Sequence, residues 1–397
     1  MENKRFARIL PWVLAVWPDL DLRLARTLTW LMVALQRSKN FVLAEWARIL
    51  PAPKQPRVPH PKHGLLHRIK RVWRWVSHPR LDPIELQLRA VPWLWKAMGR
   101  PRRWILLADW TKVTLRTIRG KRKTFHVFRV AVIWRFRAIP LVQVAYDPQK
   151  ASESQNQVEE RVLAALWRAL PRGLEAVLVM DRGFDRASLF HWLQERGIPF
   201  VVRLRQGTYV HTEDGVFKLD KSLLTPGQVR VWRQARLRED GRVRLHVVGH
   251  WAPSPGTVVL PQGQRLHTWR QALVQERSKA PKTPPEPWFL ATTLEDLDLA
   301  VLAYALRMWI EQSFRDSKTG LWRLESARVS TAHRLSLLLT VLTLTQIWLV
   351  MVFLTRARWV FAPRYRRELE AWKKLSVFRY LLAALERWED RVLREPT

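Results

Sequence analysis

The chain has 397 residues, 48% of them hydrophobic, with 69 Lys and Arg against 34 Asp and Glu, a formal net charge of +35, and no cysteine. That much apolar material excludes a disordered chain, and the absence of Cys excludes disulfides, thiolate zinc sites and cysteine catalysis. The excess of positive charge points to a polyanion, nucleic acid first, because each neutralised phosphate releases counterions. An anionic membrane surface is the competing reading.

The N-terminus is charged early (Glu2, Lys4, Arg5), and its apolar run from Ile9 is broken by Pro11 and stopped by Pro18-Asp19, so no cleavable signal is expected. Residues 5–50 are expected to be helical, as in the periodic stretch Leu22 to Gln36. Pro51 to Pro61 (PAPKQPRVPHP) cannot continue a helix and reads as a stiff basic linker, extending to residue 63. Helical periodicity resumes over 64–98. Residues 1–98 are therefore expected to form a basic, Trp-rich helical domain, with most of its Trp serving as packing residues.

The texture then changes to short apolar runs. Trp104 to Asp109 reads as a buried strand ending on a carboxylate, Phe125 to Arg135 as a second strand after a Gly120-Lys121 turn, and Ile139 to Ala145 as a third. Gln155 to Leu170 reads as an amphipathic helix. Ala176 to Asp181 is another apolar strand ending on a carboxylate. Asp185 to Ser188 should cap a helix running to Arg196, and Ile198 to Arg203 should be the fifth strand. Three meandering strands followed by alternation imply an α/β fold with a mixed sheet and helices on both faces. This core is expected over 99–206 and again over 288–360, interrupted by a β-rich insertion at 207–287.

Trp288 to Thr293 returns to strand, and Tyr304 to Gly320 (YALRMWIEQSFRDSKTG) reads as one helix. At 3.6 residues per turn, Tyr304, Arg307, Glu311, Arg315 and Lys318 fall within an arc of about 80° along about 21 Å of axis, beside a core face of Ala303, Leu306, Ile310 and Phe314. One cationic face thus holds a single carboxylate. Leu335 to Thr355 is uncharged and long enough to span a bilayer, but its Ser, Thr and Gln content and the lack of a second span favour a helix buried in a soluble core. Residues 361–397, with a charged amphipathic stretch from Arg364 to Arg394, are expected to be a helical tail.

Asp109, Asp181 and Glu311 stand out by position. Carboxylates at the ends of neighbouring strands, joined by a glutamate from a packed helix, would make an oxygen-rich site suited to Mg²⁺ or Mn²⁺. Two such ions would clamp the attacking and leaving oxygens of an in-line phosphoryl displacement. There is no G-x-x-x-x-G-K-[ST] loop and no G-x-S-x-G elbow to support nucleotide hydrolysis or serine esterase chemistry.

These residues carry a resemblance. Tyr304-x2-Arg307-x3-Glu311-x6-Lys318 resembles the Y-R-E-K motif of the DDE insertion-sequence transposases, whose catalytic domain is ribonuclease-H-like. Asp109-Trp-Thr resembles that family's first-acid block, Asp181-Arg-Gly-Phe-Asp the second, and Trp288-Phe-Leu-Ala-Thr the strand closing its β insertion. The similarity runs in order over about residues 100–330. It implies excision and integration of an element by cleavage and joining of double-stranded DNA, with Asp109, Asp181 and Glu311 holding two Mg²⁺ ions, Mn²⁺ substituting. It further implies that Tyr304, Arg307 and Lys318 hold phosphates, and that Trp288 stacks on a base flipped from the duplex. Arg315, on the same helix face, and Arg203, just past the fifth strand, are expected to add DNA-phosphate contacts. The N-terminal domain would bind terminal repeats and the tail would pair two subunits of a homodimer, in the bacterial cytoplasm at the nucleoid, with no membrane role. A catalytically silent DNA-binding descendant is the alternative.

Overall fold

The computed structural model describes residues 4–52, 61–134, 137–254, 257–267 and 286–357, together with Phe378, Leu381, Leu382 and Leu385. Positions 53–60 of the linker and, but for those four residues, the expected tail helix lie outside them.

Six helices open the chain: α1 (Lys4–Val16), α2 (Leu22–Ser38), α3 (Leu43–Ile49), α4 (Pro61–Val76), α5 (Pro83–Leu88) and α6 (Val91–Ala97). Local chemistry sets their starts. The Asp21 carboxylate accepts from the Arg23 and Leu24 amides at the head of α2, and Asp82 accepts from Ile84 at the head of α5, where Pro83 supplies a preset φ. α1 runs through Pro11 without ending. Trp17, Trp46 and Trp75 are buried, so the tryptophans of this region are packing residues, as their abundance implied.

The rest is organised by one ten-stranded sheet. Its strands are β1 (Arg103–Arg116), β2 (Arg122–Trp134), β3 (Arg137–Tyr146), β4 (Glu175–Met180), β5 (Phe200–Arg203), β6 (Tyr209–Thr212), β7 (Gly215–Lys218), β8 (Val229–Leu237), β9 (Val243–His250) and β12 (Trp288–Thr292). A separate pair is formed by β10 (Thr257–Val259) and β11 (Arg265–His267). The order is β3-β2-β1-β4-β5-β12-β9-β8-β6-β7. Only the β1/β4 and β4/β5 pairs are parallel. The expected insertion is β-rich, and four of its strands extend the main sheet, because β9 pairs with β12 along its whole length.

Helices α7 (Gln155–Ala169) and α8 (Ala187–Glu195) pack into the larger core cluster, while α9 (Leu297–Ala305) and α10 (Met308–Lys318) close a second cluster with Leu107, Val177, Val179 and Val201. Alternate residues of β1 and β4 serve the two clusters, which is the period-two pattern of a sheet covered on both faces. The α/β architecture with helices on both faces is as the sequence implied, and it is consistent with a ribonuclease-H-like transposase domain.

The long apolar segment forms α11 (Ala332–Val352), in which every residue from Leu335 to Val350 is buried. It packs along β3 and against α2, α4, α5 and α6. Its polar residues have partners there. Ser336 Oγ accepts from the Ala145 amide at 2.9 Å, and Thr343 Oγ1 donates to Gln87 Oε1 at 2.7 Å. Gln87, from α5, also accepts from the Gln143 amide and donates to the Gln143 carbonyl, both at 2.9 Å. Side chains from α5 and α11 therefore take up backbone groups on the open edge of β3, the end strand of the sheet.

Replacing Gln87 by Met keeps the volume but takes the acceptor from the Gln143 amide and from the Thr343 hydroxyl proton, although Thr343 Oγ1 still accepts from Gln143 Nε2. Each buried group so stranded costs about 1–3 kcal/mol, so the urea midpoint of Gln87→Met should fall clearly below that of the wild type.

Candidate active site

The parallel register pairs Arg103 with Glu175 and runs to Ala108 with Met180, so the next residues on the two strands are Asp109 and Asp181. Pairing to β4 stops there. β1 does not end on its acid as expected: it continues to Arg116 with β2 as its only partner, Asp109 lying opposite Arg129. Asp181 lies just past β4 and starts a 3-10 turn, Arg182–Phe184. Each acid is anchored by the following amide, Asp109 Oδ1 accepting from Trp110 N and Asp181 Oδ1 from Arg182 N, both at 2.7 Å.

Glu311 arrives from α10. The expected single helix is two, α9 ending at Ala305 and α10 starting at Met308. Between them the bonding tightens to i→i−3: Arg307 N to Tyr304 O at 2.9 Å, and Trp309 N to Leu306 O and Ile310 N to Arg307 O at 3.1 Å. No Gly or Pro lies between Ala303 and Glu311 to announce the break. The tightened turn swings Arg307 into the acids. Its Nη1 lies 3.3 Å from Asp109 Oδ2 and 3.5 Å from Asp181 Oδ2, and its Nη2 donates to Glu311 Oε1 at 2.6 Å. One guanidinium therefore bridges carboxylates from three separate elements. The Tyr304 hydroxyl donates to Asp181 Oδ1 at 3.3 Å.

The electrostatics follow from this arrangement. Burial pushes the Asp109 carboxyl up to about 6, against the pull of Arg307 and the Trp110 amide. Burial also works against the Arg307 charge, but Asp181, Tyr304, Asp109 and Glu311 outweigh it and hold the guanidinium above its usual value. Tyr304 is pushed up to about 12 by burial and then by Asp181.

Trp288 packs edge-on against Tyr304 and stacks on His250, both at 5.0 Å between ring centroids. Arg203 acts electrostatically on Tyr304 and bonds Glu286 Oε2 at 3.2 Å. It also lines a cavity of about 480 Å³ with Arg182, Arg205 and Phe289. Five residues read from the sequence, Asp109, Asp181, Tyr304, Arg307 and Glu311, are thus joined by direct contacts, with Trp288 and Arg203 against Tyr304. Lys318 and Arg315 are not brought to the acids. Lys318, its amine pushed down by burial, lies within the electrostatic reach of Glu325 and Arg129, and Arg315 is exposed. Asp185, expected to cap α8, instead accepts from the Arg205 amide at 2.8 Å and pairs with Arg238, leaving α8 without a side-chain cap.

The family model of the transposase DDE domain matches residues 100–348, more than half the chain and inclusive of all three acids. The chain belongs to this family. No curated protein matches it. The family generally uses divalent metal ions. In the transposase, the donors of Asp109, Asp181 and Glu311 are all carboxylate oxygens, and the two aspartates are fixed by backbone amides, a set that fits a hard cation. Among the described residues no three His, Cys, Asp or Glu side chains are gathered closely enough to hold a metal ion between them. The Arg307 fork lies between the acids.

Sequence reasoning missed Arg129. It is 1% exposed and donates to Gln143 Oε1 at 2.9 and 2.6 Å, to Ser313 Oγ at 2.7 Å and to Ser317 Oγ at 2.9 Å, with the Phe314 ring 4.3 Å away. Burial lowers its guanidinium to about 9, against the attraction of Asp316 and Asp109. It pins α10, which carries Glu311, to the strand beside Asp109. The available signal was a lone charge inside the apolar run of β2.

The raised Asp109 value has a stability consequence. Below about pH 4 the folded and unfolded chains both hold this proton. Between there and about 6 only the folded chain keeps it, so this group's contribution to stability falls as pH rises. In EDTA, Asp109→Asn should therefore gain stability over the wild type as pH is raised from 4 to 7, by on the order of 2 kcal/mol, read as a widening difference in thermal midpoint.

Proposed function

We propose that the transposase cuts the ends of an insertion sequence and joins them to target DNA by two-metal phosphoryl transfer. The observation that carries this reading is the convergence of Asp109, Asp181 and Glu311 on the single Arg307 guanidinium. Three carboxylates from distant stretches of chain have no structural need to meet at a sheet edge, where α/β folds bind ligands. Asp109, Asp181 and Glu311 would hold Mg²⁺, or Mn²⁺ in its place. Two such ions, when bound, supply charge stabilisation to the attacking and leaving oxygens.

The remaining roles belong to the protein. Arg307 would offer its fork to a phosphate of the substrate, since guanidinium geometry suits phosphate as well as carboxylate. Tyr304 stays protonated across the working range and orients Asp181 through its hydroxyl. Arg203 contacts a phosphate beside Tyr304, and Trp288 offers a ring to an unstacked base. Lys318 and Arg315, farther along α10, meet the backbone away from the cleavage point. The spacing of Tyr304, Arg307, Glu311 and Lys318 supports a reading of the chain as one of the Y-R-E-K group. In this reading residues 1–98 bind the terminal repeats, and residues 361–397 pair two subunits of a homodimer acting in the cytoplasm.

The deciding assay is cleavage of a labelled duplex carrying a verified element end, in Mg²⁺, Mn²⁺ or EDTA. The expected result is metal-dependent nicking that drops by at least about 10²-fold in Glu311→Ala, with DNA binding retained. Tight binding by the wild type without cleavage in either metal would overturn the catalytic reading in favour of a silent DNA-binding descendant.

A further inference from the structure

Between Asp109 and Asp147 the chain contains no acidic residue, while Lys112, Arg116, Arg119, Lys121 and Arg122 fall in or around the β1–β2 hairpin. The register sorts these cations. Arg116 lies directly opposite Arg122, Thr114 opposite Thr124 and Lys112 opposite His126, so all six share one face of the ribbon. The two threonine hydroxyls meet at 2.9 Å, which fixes that alignment. Arg116, Arg122, Lys112 and both threonines are exposed. The opposite face is packed: Val113, Leu115 and Phe125 are buried, and Lys123 on that side is neutralised by Asp147 and donates to the Ser330 carbonyl at 3.1 Å.

The hairpin thus pairs its inward cation and leaves its outward ones bare. Among the described residues none of Lys112, Arg116, Arg119, Lys121 and Arg122 has a carboxylate partner. Like charges directly opposite across a ribbon destabilise it. Burial, and then the Lys112 charge, hold His126 below its usual value. The single exposed Ile118 at the tip is unremarkable by itself. Unpaired cations stacked across two strands call for an anion that is absent when the protein is alone. The turn is rigid enough to present them, with Thr117 N bonded to Lys121 O at 2.8 Å, Gly120 N to Thr117 O at 2.9 Å, and Gly120 at φ +78°.

The ladder is also joined to the acids. β1 carries Asp109 and then runs straight into the hairpin. Strand alternation puts Asp109 on the other face, but the loop after Asp181 comes round to the ladder side, where Phe184 lies 6.2 Å from Phe128. Arg116 is seven residues beyond Asp109, about 23 Å at ~3.3 Å per residue, which is about seven base pairs of B-DNA at ~3.4 Å.

Building on the transposase reading, we propose that the Lys112/Arg116/Arg122 face of the β1–β2 hairpin is a second DNA-contact surface that grips duplex phosphates from about three base pairs (Lys112) to about seven (Arg116 and Arg122) from the cleavage point. It reads no sequence. It orients the duplex arm relative to the acids and adds to the salt dependence of binding.

The test uses the full chain and the double variant Arg116→Gln/Arg122→Gln. Affinity is measured across a NaCl series on element-end duplexes whose arms, on either side of the cut, are five or fifteen base pairs long. The expected result is a salt slope lower by about 1.8 for the double variant when the arm on one side is long, with no change when both arms are short. The thermal midpoint of the variant should equal or exceed that of the wild type, because the like-charge pair is gone. An unchanged slope on every duplex, an equal loss on short-arm duplexes, or a lowered thermal midpoint would each overturn the proposal. Loss of binding to anionic vesicles with the DNA slope intact would overturn it in favour of a membrane contact. A wild type that cleaves its end duplex while the slopes stay equal would sink the hairpin proposal alone. A wild type that neither binds nor cleaves would remove the transposase reading with it.

Discussion

Three carboxylates at the edge of one sheet repel one another, and the Arg307 guanidinium is what lets them stand together in the free protein. Its fork reaches Asp109, Asp181 and Glu311 at once, from a tightened turn between two helices. The arrangement is both stabilising and provisional. One positive charge cannot balance three negative ones, and burial holds the Asp109 carboxyl up to about 6 even with that help. A site so short of positive charge is suited to take up cations.

The rest of the architecture holds this cluster in register. The parallel pairing of β1 with β4 sets Asp109 beside Asp181, and the antiparallel pairing with β2 sets it opposite Arg129. Arg129 then ties β2 to α10 through Ser313 and Ser317, and to β3 through Gln143. Gln143 in turn meets Gln87 of α5 and Thr343 of α11. A continuous run of buried hydrogen bonds thus connects the helix bearing Glu311 with the N-terminal helices. Such a network is sensitive to any missing member, because each lost partner strands a polar group in an apolar interior.

The positive charge is not spread evenly over this scaffold. Some of it is spent internally, on Arg129, on Arg307 and on the pairs Lys123–Asp147 and Arg238–Asp185. Other outward cations are paired on the surface, such as Arg102 and Arg103 with Glu175, whereas Lys112, Arg116, Arg119, Lys121 and Arg122 of the β1–β2 hairpin have no carboxylate partner among the described residues. That division between structural and unpaired charge says more about where a polyanion would lie than the net charge of +35 does.

Much of this was legible in the chain. Apolar runs of four to six residues marked β1 and β4, helical periodicity marked α7, and the charged face of 304–318 marked the third acid, because hydrophobic pattern and local chemistry are properties of neighbours in sequence. The buried state of α11 followed from its Thr and Gln content. Other features were set only by partners distant in sequence. β1 runs past Asp109 because β2 is there to pair with it, and the helix around Arg307 breaks with no Gly or Pro to announce the tightened turn that brings this side chain to three carboxylates. Asp185 serves Arg205 and Arg238 in place of a helix cap, and Arg129 hides a full charge inside an apolar strand. Residue type and spacing determined which groups could do phosphoryl-transfer chemistry; long-range register and electrostatic pairing decided which of them meet.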